Sequence, residues 1–149
     1  MEFASGEIRD DLFAGTPPLF AMRLLLSLVA SCDTVKKQAI MILDVKCAFL
    51  YGKMKRDVYI ELPPEDPDSL SGEFYGKLEK AMYGTRDAPQ IWQAVVRETM
   101  ERLGFQVSVL HPAIYYHREK GIRVIAHVDD FLCTGDERTL RWLYNELSK

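Results

Sequence analysis

Two adjacent acids, Asp129 and Asp130, interrupt an apolar, strand-prone run: Val124-Ile125-Ala126-His127-Val128 precedes them and Phe131-Leu132-Cys133-Thr134 follows. Neither Gly nor Pro stands beside them, so a plain solvated turn does not account for the pair. Two carboxylates at the tip of a tight hairpin between buried strands repel each other, and a divalent cation removes that penalty. Hard cations such as Mg²⁺ choose carboxylate oxygens. Asp44 repeats the pattern at the end of another apolar run, Ile40-Met41-Ile42-Leu43. If the two strands are neighbours, three carboxylates converge at one edge of one sheet. That arrangement suits two Mg²⁺ (or Mn²⁺) ions about 3.5–4 Å apart, clamping the attacking and leaving oxygens of a phosphoryl transfer. The residues alone leave a second reading open, in which a turn pair and a strand-ending aspartate are ordinary surface groups. A metal-dependent nuclease or phosphotransferase on another fold would use the same carboxylates.

The elements that must position these acids follow from the apolar pattern. Thr16-Pro17-Pro18 reads as a helix start with Thr16 as cap, and Leu19 to Ser31 continues as a helix apolar on most faces, hence well buried. Gln38 to Val45 reads as a buried strand carrying Asp44 at its end, and Asp57 to Leu62 as a second strand. Pro63 to Asp68 must be a loop, and Phe74 to Tyr83 is part strand, part turn. Pro89 opens a helix over Gln90 to Leu103, stopped by Gly104, with Ile91, Trp92, Val95, Val96, Met100 and Leu103 at helical spacing. Strands are expected at Phe105–Val109, Ala113–His117 and Ile122–Ala126, with a hairpin turn at Glu119-Lys120-Gly121. Asp136 caps a last helix, Glu137 to Leu147, on which Trp142, Leu143 and Leu147 are candidate contacts for a partner, although core packing of an amphipathic helix is the simpler reading. The order predicts an α+β fold, an antiparallel sheet with helices packed on one face.

At 149 residues the chain suits one domain, with an irregular acidic leader over 1–15 and the domain proper over 16–149. Its 48% hydrophobic and 28% charged residues exclude disorder as the default. A net charge of −3 argues against strong autonomous nucleic-acid binding, which draws on Lys and Arg. Lys36, Lys37, Lys46, Lys53, Lys55 and Arg56 could still touch phosphates, although a solvated face explains them as well. Cys32, Cys47 and Cys133 form no CxxC pair, so neither a zinc site nor a disulfide framework is expected, and a reducing, intracellular compartment is the simpler reading. The longest apolar stretch, Leu19 to Ala30, is too short for a bilayer, which needs about 20 residues; no membrane is expected as a partner.

Four blocks then resemble the reverse transcriptases of copia-type retrotransposons. Thr16-Pro17 with Met22 to Leu28 is similar to the helix before that family's first catalytic strand. Asp44-Val45-Lys46-Cys47-Ala48-Phe49-Leu50-Tyr51-Gly52, continued by Val58 to Pro64, resembles DVKTAFLNG and VYMEQPP. Lys77 to Gly84 with Ala88, Pro89 and Trp92 resembles KLKKALYGLKQAPRAW, and Val128 to Leu132 with Thr134-Gly135 resembles YVDDLLITG. The resemblance covers Thr16 to Lys149 and implies a polymerase palm that performs RNA-directed DNA synthesis on template-primer with dNTP. It implies metal binding and catalysis at Asp44, Asp129 and Asp130, with Asp44 and Asp129 as direct ligands. It implies a nucleotide-binding role for Phe49, as a wall excluding a 2′-hydroxyl, and for Tyr83, Gly84 and Pro89 at the turn entering the helix beside the pocket. His127 stands where the family has tyrosine, and is given no role. Asp87 replaces glutamine and is expected to bring negative charge near the template or nucleotide path, while Thr85-Arg86 replaces Leu-Lys. The family's fingers upstream, and its later palm strands, thumb and ribonuclease H, have no counterpart here. The chain is therefore expected to be truncated at both ends and weakly active or inactive, with a partner or missing domains covering the ends. The alternative is a non-catalytic retroelement remnant serving as a protein or nucleic-acid interaction module.

Overall fold

The computed structural model describes residues 14–31, 37–72 and 74–149. The acidic leader up to residue 13, Cys32 and Lys36 lie outside the described residues. The chain forms α1 (Leu19–Ala30), β1 (Ala39–Asp44), β2 (Tyr59–Glu61), β3 (Tyr75–Lys77), α2 (Ala88–Arg102), β4 (Gln106–Val107), β5 (Ile114–His117), β6 (Ile122–His127), β7 (Asp130–Gly135) and α3 (Glu137–Leu147). Short 3-10 turns occupy Ala48–Tyr51 and Pro67–Ser71. Five strands make one antiparallel sheet in the order β1-β7-β6-β5-β4, and β2 pairs with β3 separately. The class is α+β.

Strand alternation sorts the side chains onto two faces. On one, Met41, Cys133, Val124 and Tyr115 lie in a cross-strand row, and the core there joins Ile91, Trp92, Val96 and Met100 of α2 to Leu140 and Leu143 of α3. Burying each such large side chain is worth about 1.5–3 kcal/mol, so this face holds the domain together. On the other face Ile42, Leu132, Ile125 and Ile114 form a row, and α1 sets Ala21 and Leu25 against it. The expectation that all helices pack on one face is thus corrected: α2 and α3 share a face, and α1 takes the opposite one.

Two further readings are corrected. α1 is not well buried: Phe20 is 70% exposed and Leu24 58%, because one row of sheet side chains can cover only one stripe of a helix. Thr16 does not cap α1; Pro18 holds that position in extended backbone, with no side-chain cap bond. Likewise β1 is an edge strand, with Ile42 72% exposed, rather than a strand buried on both faces. The strand expected from Phe105 to Val109 shrinks to Gln106–Val107, and Val109 and Leu110 stand out in solvent. Asp136 does cap α3, its Oδ1 accepting from Arg138 N–H at 2.9 Å. Trp142 meets His117 edge-on, and Leu143 is fully buried. No helix among the described residues is long and apolar enough to cross a membrane.

Candidate active site

The acids gather at one end of the sheet. Asp44, last in β1, lies opposite Asp130, first in β7, and Asp130 in turn lies opposite His127, last in β6. Directly opposed residues on antiparallel strands have Cα atoms about 4.5–5.5 Å apart. All three therefore project in one row on the α1 side of the sheet, in line with Ile42, Leu132 and Ile125. Asp129 sits in the two-residue turn Val128-Asp129 that joins β6 to β7. Asp44 and Asp130 are exposed and Asp129 half-buried. Among the described residues nothing donates a hydrogen bond or an ion pair to these three carboxylates. The three do not form a shared cage: no group of three His, Cys, Asp or Glu side chains among the described residues could hold one ion.

The turn is strained. Val128 has φ 57°. Positive φ at the first of two turn residues is the signature of type II′, a place for glycine. For a β-branched residue such a conformation costs about 1–3 kcal/mol and survives only where the surroundings impose it. Two outside donors supply that constraint. The Trp92 indole Nε1–H donates to the Val128 carbonyl at 2.6 Å, and the Val45 N–H donates to the Asp129 carbonyl at 3.0 Å. At about 1 kcal/mol each, the two bonds offset much of the strain.

After Asp44 the chain turns sharply through Cys47, also left-handed at φ 54°, into the 3-10 turn Ala48–Tyr51. Gly52 follows because nothing larger fits: a Cβ there would collide with Ile91 Cγ2 on α2. Phe49 is buried, its ring centroid 4.4 Å from that of Tyr83, so these two candidate nucleotide-binding residues are neighbours, with half of Tyr83 still exposed. Gly84 takes φ 95°, a left-handed turn that glycine allows, and Pro89 lies in the first turn of α2. Pro89 also lines a cavity of about 280 Å³ behind the strained turn, together with Trp92, Tyr115 and Val128. A second cavity of about 400 Å³ lies beside Asp44, walled by Tyr51, Trp92, Phe131 and Tyr144.

Asp87 departs from expectation. Only 6% exposed, it is gripped by Arg56 through Nε to Oδ2 at 3.3 Å and Nη2 to Oδ1 at 3.2 Å. Its charge is buried and neutralised rather than offered to a template or nucleotide. Thr85 closes its own turn, its hydroxyl donating to the Met82 carbonyl at 2.8 Å. The sequence pointed to neither the Arg56–Asp87 fork nor the Trp92–Val128 bond, which join positions 31 and 36 apart. One clue to the second was present, the lack of any glycine at the acidic tip.

The chain belongs to the reverse transcriptase (RNA-dependent DNA polymerase) family, whose model matches residues 3–148. It is 31% identical over 144 residues to the retrovirus-related Pol polyprotein from transposon TNT 1-94 of Nicotiana tabacum, covering 94% of this chain and 10% of that protein. It is 38% identical over 107 residues to the Pol polyprotein from transposon RE1 of Arabidopsis thaliana, covering 70% of this chain and 7% of that protein. With transposon RE2 of the same plant the identity is 33% over 101 residues, covering 66% of this chain and 7% of that protein. The chain is therefore a stretch of a copia-type reverse transcriptase, and it spans a tenth or less of the length of these relatives. No solved structure matches it.

Proposed function

We propose that this chain is the palm portion of an RNA-directed DNA polymerase and that Asp44, Asp129 and Asp130 are its metal-binding, catalytic edge. One observation carries the reading: β1 and β7 are paired so that Asp44 faces Asp130 across the ladder, one residue from Asp129. The donor set fits Mg²⁺, which takes hard oxygens. An edge without a complete cage also fits, because Mg²⁺ is commonly held by one or two carboxylates and completed by water and substrate phosphates. Bound there, two such ions would lower the pKa of an attacking primer 3′-hydroxyl and take up charge on the leaving pyrophosphate.

The chain's own residues then have separable tasks. Asp44 and Asp129 hold the cations and Asp130 supports them from the primer side. Phe49, its ring packed against that of Tyr83 at the turn before α2, is the floor beneath the sugar of a dNTP and the wall against a 2′-hydroxyl. Gly84 and Pro89 set the direction in which α2 leaves that floor. Alone, the chain is proposed to extend a primer weakly or not at all: positioning supplies most of phosphoryl-transfer catalysis, and the chain is a small part of its relatives. Calorimetric titration of Mg²⁺ or Mn²⁺ into the wild type and Asp129→Asn tests the site. Weaker binding in the variant supports it, and equal binding in the two rejects it.

A second reading, a non-catalytic interaction module, draws on the apolar surface that Phe20, Leu24, Val109 and Leu110 leave exposed. Sedimentation of the isolated chain decides its central demand. A monomer at high concentration argues against an obligate partner.

A further inference from the structure

The strained turn needs something to hold it, and one side chain is built to do so. Trp92 is 7% exposed, fixed in α2 with its ring centroid 6.2 Å from that of Tyr51. It stands between the cavity beside Asp44 and the cavity behind Val128, lining both. Its one polar atom is spent on the carbonyl of Val128, the β-branched residue at φ 57°. α2 is itself pinned at this end by the Gly52–Ile91 approach and the Arg56–Asp87 fork. The helix, the indole and the aspartate turn therefore form one connected unit. A phenyl ring in the same place would fill most of the space and leave the carbonyl unpaired.

We infer that Trp92 is a positioning residue: its indole N–H clamps the Val128-Asp129 turn in a strained backbone form and so fixes where the Asp129 carboxylate stands. The inference rests on the metal-binding reading of Asp129, and the two are separable by experiment. Trp92→Phe removes the donor, and Val96→Ala, on the same helix, serves as a packing control of the same core. The Val45 N–H, which donates to the Asp129 carbonyl, reports the turn directly by hydrogen exchange. Trp92→Phe should speed its exchange at least tenfold more than Val96→Ala does, measured relative to the amide of Cys133 in the middle of the sheet. It should also weaken Mn²⁺ binding about tenfold while Val96→Ala leaves it within threefold. Val128→Gly, which adopts positive φ freely, should shrink both effects of Trp92→Phe to threefold or less.

Equal exchange at Val45 in the two single variants would overturn the clamp, as would an unchanged effect in the Val128→Gly background. If the wild type and Asp129→Asn take up Mn²⁺ alike, the metal reading fails and the positioning role falls with it. In that case, faster exchange at Val45 in Trp92→Phe would still show that the hydrogen bond orders the turn. The two failures are thus told apart.

Discussion

At one end of β6 the chain reverses through Glu119-Lys120-Gly121, where Gly121 takes φ 64° and a side chain added to it would meet nothing within 4 Å. At the other end it reverses through Val128-Asp129, where a valine takes φ 57°. The first turn satisfies its backbone with the residue that adopts that conformation freely, and the Gly121 N–H closes it on the His117 carbonyl at 2.8 Å. The second uses a residue that resists the conformation and recruits Trp92 of α2 and Val45, just past β1, to enforce it. A turn that only has to reverse the chain can be local and relaxed. A turn that places a carboxylate at a fixed point, the role proposed for Asp129, would gain from being over-determined, even at a cost in stability.

The sharpest way to break that contrast is to alter the charge at each turn. In a full-length polymerase carrying this segment, Asp129→Asn should lower primer extension at least about a hundredfold, the scale on which loss of one charge-stabilising group acts. Glu119→Gln at the opposite turn should leave extension unchanged. Comparable losses at both turns would mean the acidic tip has no special standing. A smaller effect concerns stability. Gly121→Val forces a β-branched residue into the left-handed region with no steric clash, so it should destabilise by about 1–2 kcal/mol, read from the denaturant midpoint.

The contrast also marks what the sequence could disclose. Asp136 was legible as the cap of α3 because capping is local: its side chain bonds a backbone N–H two residues on. The end of α2 at Gly104 and the Gly121 turn were legible for the same reason. The pairing of β1 with β7 was legible only as a conditional, since apolar runs announce strands without naming their partners. The burial of α1 is less than its sequence suggests: Leu19 to Ala30 shows how much apolar surface wants covering, not how much the sheet can cover. The same limit makes the edge strand β1 read as buried. The Arg56–Asp87 fork and the Trp92–Val128 bond are tertiary, and nothing in the local pattern at either end implies the other.

A third measurement sharpens the comparison from the opposite direction. Val128→Gly should relieve about 1–3 kcal/mol of strain while losing about 0.5–1 kcal/mol to the freedom of glycine in the unfolded chain. The net is a protein as stable as the wild type or more so, by up to about 2.5 kcal/mol, with the turn less tightly placed and primer extension lowered. Stability and activity moving together would mean that the strain serves no purpose.

The smallest effect near neutral pH lies between the two turns. Burial pushes the Cys133 thiol up to about 12 from its ordinary 9.0. Burial also pushes the Tyr115 hydroxyl up to about 12 from 10.0, with Arg97 opposing and Glu101 adding. Both groups are neutral in the fold and lose protons more readily once unfolded. Their contribution to stability is therefore complete below pH 9 and is lost as pH rises from there toward about 12. Denaturant midpoints should be flat through pH 8 and fall between pH 9 and 12, and Cys133→Val should make that fall shallower. Cys133 pairs with Val124 in the middle of β6, and Val124 pairs with Tyr115 beyond it, so alkali attacks the part of the sheet that both turns share. Amide signals of the Gly121 turn and the Val128 turn should disappear together. If the Val128 turn loosened first, at lower pH, its strain would be held by the indole and the Val45 amide alone and not by the cooperative sheet beneath it.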